Sequence, residues 1–167
     1  MPRDHETEFL GYRRADGQVG IRNHLLVLST GGLTGQTARR IGAMLAGAVV
    51  VALPHSAGLI GRDLEVHRRA IAGFATHPNV GAAVLVGDNP VVMAQARADI
   101  APSGRPNACF TLDECGHDAL TLTDRAVRAG ARLLREISTE RRTPTPAASL
   151  GIGLECGRSD PSSGLVA

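Results

Sequence analysis

The sequence predicts an α/β fold: a doubly wound parallel sheet of about five strands with helices on both faces, Rossmann- or flavodoxin-like. Three observations lead there. Short apolar runs recur at residues 25–29, 49–53, 82–86, 108–112 and 150–154, continuous rather than alternating, as in strands covered on both faces. Longer stretches with helical patterning separate them, at 35–45, 61–75, 90–100 and 117–137. Aromatics make up only 2% of the chain and Trp is absent, so the core must be built from Ala, Val, Leu and Ile, which suits helices packed on a buried sheet.

Residues 1–23 read as an N-terminal arm. The first residues are polar, and Asp16-Gly17 is a turn signal between two half-apolar runs, so a hairpin is expected before the first strand. Residues 24–145 carry the alternating strands and helices, and strand-helix-strand repetition implies right-handed crossovers between parallel neighbours. Asn89-Pro90 opens its helix with Pro at the favoured first position. The last helix is the plainest, with Leu120, Ala126, Val127, Gly130, Leu133, Leu134 and Ile137 on one stripe. Residues 146–167 hold the fifth strand and a Gly-rich polar loop, expected to lead into a truncated C-terminal domain.

A chain of 167 residues, 43% hydrophobic and 20% charged, fits one domain of ordinary size. All 18 basic residues are arginine, so no lysine Schiff base or lysine base is available. A net charge of +2 argues for neither nucleic acid nor an anionic membrane, and single-stranded bases would find almost no aromatic platform. Cys109, Cys115 and Cys156 are odd in number and widely spaced, unlike a disulfide framework. No apolar run approaches the roughly 20 residues of a membrane span, and the start is no signal peptide, so a cytoplasmic protein is expected.

Ligands of doubly wound sheets bind beyond the carboxyl ends of the strands. After the first strand come Thr30, Gly31, Gly32 and Thr34 at a helix start, where free N–H groups and the helix dipole favour a carboxylate or phosphate. The glycine spacing is neither a dinucleotide fingerprint nor a Walker loop, so no nucleotide is expected; an ordinary capped turn is the plain alternative. After the second come His55 and Ser56, His55 being a candidate general base or metal ligand as against a capping histidine. Asp88 and Asn89 follow the third and read as strand and helix termini at least as readily as functional groups. Glu114, Cys115 and His117 follow the fourth and bring three ligand types into four residues. After the fifth, Glu155, Cys156, Arg158, Ser159 and Asp160 form the densest set, with Arg158 suited to clamp a carboxylate. His67 and His77, in or at the end of a charge-rich helix, read as surface residues, and Cys109 as a small core residue.

Three stretches carry a family resemblance. They are Gly11-Tyr12, Arg14, Asp16-Gly17, Val19-Gly20 and Arg22-Asn23; the run from Arg69 through His77-Pro78-Asn79 to Gly87; and Arg141-Arg142, Pro144, Pro146-Ala147, Ser149-Leu150, then Gly153-Leu-Glu-Cys-Gly-Arg-Ser-Asp160. Together they resemble the altronate/galactarate dehydratase family, which also includes a sulfolactate sulfo-lyase subunit. The resemblance implies a lyase that eliminates water, or sulfite, from a hydroxylated acid with the help of a divalent metal, Fe²⁺ first and Mn²⁺ second. On that reading His55 and Glu114 are catalytic, and His55, Glu114 and Cys156 hold the metal. Arg22, Asn23, Thr30, Gly31, Thr34, Ser56, Arg158, Ser159 and Asp160 hold the substrate. Expected partners are a small carboxylic acid, a separate small N-terminal-type subunit and further copies of the chain in a homo-oligomer. Family members carry cysteines in the first three of these loops, where this chain has Gly31-Gly32-Leu33-Thr34, Leu59 and Gly87-Asp88-Asn89-Pro90. The alternative expectation is therefore an inactive acid-binding or assembly subunit on the same scaffold.

Overall fold

The computed structural model describes residues 7–155, 157 and 162. All eight residues of β5 (Val80–Gly87) are buried, so this strand needs neighbours on both sides and cover on both faces. It runs parallel to β3 (His24–Ser29) and to β6 (Asn107–Thr111), and β4 (Val49–Ala52) adds in parallel to β3. Side-chain alternation then makes two cores. Leu25, Val27, Val84 and Val86 meet Ile41 of α1 (Gly35–Met44) and Leu122 and Ile137 of α4 (Ala119–Ser138). Leu26, Leu28, Ala83 and Leu85 meet Ile71 of α2 (Gly61–Ala75) and Met93 and Ile100 of α3 (Pro90–Ile100). The expected doubly wound α/β architecture is present, in the strand order β4-β3-β5-β6.

The fifth strand is not. Residues 150–155 form no strand, and Leu150, Ile152 and Leu154 are exposed. Gly151 and Gly153 leave that run with side chains on alternate positions only, which weakens a strand. A different segment pairs instead: β7 (Thr143–Pro146) lies antiparallel to β1 (Glu8–Arg13), and β1 turns at Gly17 (φ 84°) into β2 (Val19–Gly20). The arm is thus a three-stranded sheet, β2-β1-β7, with the hairpin where Asp16-Gly17 suggested. Helix α4 starts two residues later than its pattern, because Gly116 and His117 both take positive φ (62° and 59°). Asp118 then caps it, accepting from the amides of Leu120 and Thr121. Among the described residues no helix is long and apolar enough to cross a membrane.

A buried guanidinium ties the arm to the sheet. Arg14 donates to the carbonyls of Pro78 and Arg22 (2.9 and 3.0 Å), to Asn23 Oδ1 (2.8 Å) and to Glu140 Oε2 (3.0 Å). Arg105 does similar work beside it, reaching the carbonyls of Val80 and Thr76 and the carboxylate of Asp16. The outer edge of β6 is guarded as well, since Arg97 donates to the Cys109 carbonyl (2.7 Å) and Glu114 accepts from Thr111 N (3.0 Å).

Arg14→Ala strands several buried acceptors and one carboxylate, so it should lower the unfolding free energy by about 3 kcal/mol. Arg14→Lys should recover less than half of that, because one ammonium cannot span the four acceptors. Urea denaturation of the three proteins measures both.

Acid sensitivity follows from two carboxylates. Asp118 is held below its ordinary pKa by the Thr121 hydroxyl and the amides of Leu120 and Thr121, and Asp99 chiefly by the Arg68 guanidinium. A depressed folded-state pKa gives stability that is present above the unfolded value and lost as pH falls through the folded one. The melting temperature should therefore hold down to about pH 4 and fall below it. Melts of an Asp99→Asn/Asp118→Asn variant should show a shallower fall in that acid range.

Candidate functional site at the switch point of the sheet

Each helix follows a parallel strand, so all four helices begin at the same edge of the sheet. Within that edge, the chain leaves β3 toward β4 and later returns to β5 on the other side of β3. The winding changes direction between β3 and β5, and a crevice opens at such a point.

The helix starts there are not alike. Asn89 Oδ1 caps α3 by accepting from Val91 N and Val92 N, and Asp118 caps α4. Neither α1, with the short turn Gly32–Thr34 in front of it, nor α2 has a side-chain cap. Ahead of α1 the amides of Gly32 and Leu33 have no acceptor among the described residues, whereas Thr34 N and Gly35 N are taken by the Gly31 and Gly32 carbonyls.

Gly31 marks a close approach between these loops. Its backbone is extended (φ −167°), which any residue adopts, so space rather than conformation excludes a side chain. A Cβ there would overlap Ser56 Oγ and lie 2.9 Å from Asp88 Oδ1. Ser56 Oγ itself donates to Asp88 Oδ1 over a long 3.4 Å. The loops after β3, β4 and β5 therefore meet around one hydroxyl, one carboxylate and a row of backbone amides. His55 stands exposed beside Ser56, with no hydrogen-bond partner among the described residues.

The threonines shape this turn from behind. Thr34 is fully buried, its hydroxyl within bonding reach of Ser29 Oγ (2.8 Å) and of the Gly31 and Val86 carbonyls (3.3 Å each). Thr30 is fully buried too, and its Oγ1 has no partner among the described residues. In this arrangement neither side chain faces a ligand, contrary to expectation.

Three further expected residues lie elsewhere. Arg22 and Asn23 precede β3, at the opposite end of a strand whose six residues span about 20 Å. Asn23 accepts from Arg14 and donates to the Ile137 carbonyl (2.8 Å), and the Arg22 amide is held by Asn79 Oδ1 (3.1 Å). Both are parts of the arm's attachment. Glu114 follows β6, while His55 follows β4 at the other edge, with two strands between. Three strand spacings put them about 14 Å apart. Glu114 instead closes its own turn on Thr111 N and pairs with Arg97 (3.4 Å). Cys156, Arg158, Ser159 and Asp160 lie outside the described residues. Among the described residues, no group of three or more His, Cys, Asp or Glu is placed to hold a metal ion. They do not fit the expected divalent site.

Two residues gain weight. Asp88, read as a strand terminus, is the carboxylate at the crevice, and its position after the most buried strand was the available signal. His67, read as a surface residue, is half-buried with Nε2 3.0 Å from the Thr30 carbonyl. Its spacing from Leu64 and Ile71 put it on the inward stripe of α2.

A family model described as D-galactarate dehydratase/altronate hydrolase, second domain, matches residues 11–139. The chain belongs to this family. The (2R)-sulfolactate sulfo-lyase subunit beta of Chromohalobacter salexigens is 33% identical over 162 residues, covering 95% of this chain and 40% of the relative. The altronate dehydratases of Escherichia coli and Bacillus subtilis are 28% and 29% identical, covering 98% and 95% of this chain and 34% of each relative. The chain thus spans between a third and two fifths of the curated relatives it matches. No solved structure matches it. In this galactarate dehydratase/altronate hydrolase second domain, the arm motif and the His77-Pro78-Asn79 turn prove to be one structural unit: Gly20 packs on the Pro78 carbonyl so closely that a Cβ would overlap it.

The convergence at Gly31 is testable without any ligand. Gly31→Ala should cost about 2 kcal/mol by overpacking. Ser56→Gly opens the space that the new methyl needs, so the double variant should be at least about 1 kcal/mol more stable than the two losses added together. Additive losses in urea denaturation would place Gly31 and Ser56 apart.

Proposed function

We propose that the chain receives the carboxylate of a hydroxylated acid at the switch point and works in a hydro-lyase that eliminates water from a sugar acid such as altronate or galactarate. The observation that carries this is the meeting of Gly31, Ser56 and Asp88 beside an uncapped helix start, in a chain of this family. Elimination needs a base to take the proton α to the carboxylate and a proton for the departing β-hydroxyl; the enol left behind becomes a 2-keto acid. The open amides of Gly32 and Leu33 receive the carboxylate with the help of the α1 dipole. His55 takes the α-proton, and Asp88 with Ser56 orients the hydroxyls. Fe²⁺ or Mn²⁺ would supply Lewis-acid stabilisation of the enolate. The described residues do not fit such an ion, and none of these roles depends on it.

The same acid-binding frame suits sulfite loss from sulfolactate, which the 33% identity to the sulfo-lyase subunit supports. That relative's designation as subunit beta also supports work alongside another subunit, here proposed for this chain too. A second reading, an acid-binding or assembly subunit without turnover, is favoured by the missing three-ligand group among the described residues.

Calorimetric titration of the chain with altronate, galactarate and (2R)-sulfolactate should show binding of at least one acid, weakened tenfold or more by Asp88→Ala. The bound acid should then yield a 2-keto acid, with or without added Fe²⁺ or Mn²⁺, and the product should be lost in His55→Ala. No binding of any acid sinks both readings; binding without product in all conditions leaves the non-catalytic one.

A further inference from the structure

We infer that His67 is a positioning residue for this site: it fixes the Thr30 carbonyl and thereby the orientation of the 30–31 peptide, at the entry to the Gly31–Gly32 turn. The inference rests on the reading of that turn as the carboxylate receiver. The Thr30 amide continues the β3–β5 ladder by donating to the Val86 carbonyl (2.9 Å). The Thr30 carbonyl has left the sheet, and its one donor among the described residues is His67 Nε2 at 3.0 Å. A carbonyl can only accept, so Nε2 carries the proton. The other ring nitrogen, Nδ1, is buried without a partner among the described residues. His67 also lines a groove of about 200 Å³ between α2 and α3, with Leu64, Ile71, Val91 and Val92 and the polar Arg68 and Gln95. The bond to Thr30 is therefore the ring's one described polar contact.

Its leverage comes from peptide geometry. The carbonyl of Thr30 and the N–H of Gly31 belong to one planar trans unit, so holding one sets the direction of the other. Gly31 N has only a weak alternative, Ser29 Oγ at 3.4 Å. The next peptide is held separately, since the Gly31 carbonyl accepts from Ser29 Oγ (2.6 Å) and Thr34 N (3.3 Å), so the His67 bond bears on the 30–31 peptide. Loss of the His67 bond leaves the 30–31 peptide free to rotate, and the turn that faces Ser56 and Asp88 loses its preset aim.

The test is NMR on the ¹⁵N-labelled chain and two variants. His67→Phe keeps the ring volume and the apolar packing but has no donor; His67→Gln keeps a donor that reaches the carbonyl. In the unaltered chain Nε2 should appear as the protonated nitrogen. His67→Phe should shift the Gly31 and Gly32 amide signals, speed hydrogen exchange at Gly31 at least tenfold, and weaken galactarate binding at least fivefold. His67→Gln should restore all three. Unmoved glycine amides in His67→Phe, or a proton found on Nδ1 in the unaltered chain, overturns the positioning role, and the tautomer measurement stands even if a variant fails to fold. Moved amides in a chain that binds no acid overturn the carboxylate reading and leave the backbone clamp in place.

Discussion

Burying the guanidinium of Arg14, with that of Arg105 beside it, is the constraint around which the arm and the sheet are joined. Burial pulls the Arg14 pKa down, with Glu140 pulling the other way. A charge of this kind costs several kcal/mol to desolvate unless its donors are met. Here they are met by the arm (Arg22, Asn23), by the turn into β5 (Pro78) and by the end of α4 (Glu140). Arg105 repeats the pattern: burial lowers its pKa most, the neighbouring Arg14 charge adds to that, and Asp16 opposes both. Pro78 and Glu140 for Arg14, and Asp16 for Arg105, are far away in sequence, so these guanidiniums act as rivets. The amino ends of β3 and β5 are closed by them, and Gly20 seated on Pro78 leaves little slack.

Closing one end directs openness to the other. Parallel strands send every crossover helix off from the carboxyl edge, and there the polar groups are unevenly satisfied. In folded proteins nearly all buried or half-buried backbone groups find partners. Asn89 and Asp118 obey that rule for α3 and α4. The starts of α1 and α2 have no such side-chain cap, and they follow the loops that bring Gly31 and Ser56 to Asp88. The contrast within one edge of one sheet separates a ligand-facing amide row from ordinary helix ends more sharply than glycine content does.

Most of the fold was legible because burial on both faces leaves a plain mark. The runs at 25–28 and 82–86 are apolar at every position, and the structure places them at the centre of the sheet. The run at 150–154 carries the same composition without the same fate, since local hydrophobicity does not say whether a sheet still has a free edge nearby. In the site, loop position was legible and side-chain destiny was not. Thr34 and Glu114 were sound choices by residue type, yet both spend their oxygens on their own turns. Arg22 and Asn23 belong to a motif with a strong pattern whose cause is the Arg14 attachment at the far end of β3. His67 was hidden by the charged residues around it on α2, because a helix shows its buried stripe only when partners are known.

What turns an acid-binding turn into a catalytic one is a change in charge during the reaction. Holding a carboxylate equally well throughout accelerates nothing. Removal of the α-proton, however, pushes negative charge onto the carboxylate oxygens, so donors already aimed at them bind the transition state more tightly than the ground state. One such donor is worth roughly 3 kcal/mol where it is preorganised and shielded from water. Amides at an uncapped helix start have that capacity only if their direction is set in advance, which no cap does here. Two sets of bonds set it: His67 of α2 on the Thr30 carbonyl, and Ser29 Oγ with Thr34 N on the Gly31 carbonyl. On the proposed reading the backbone of 30–32 stabilises the charge that builds up on the carboxylate, and His67 serves it without touching the substrate.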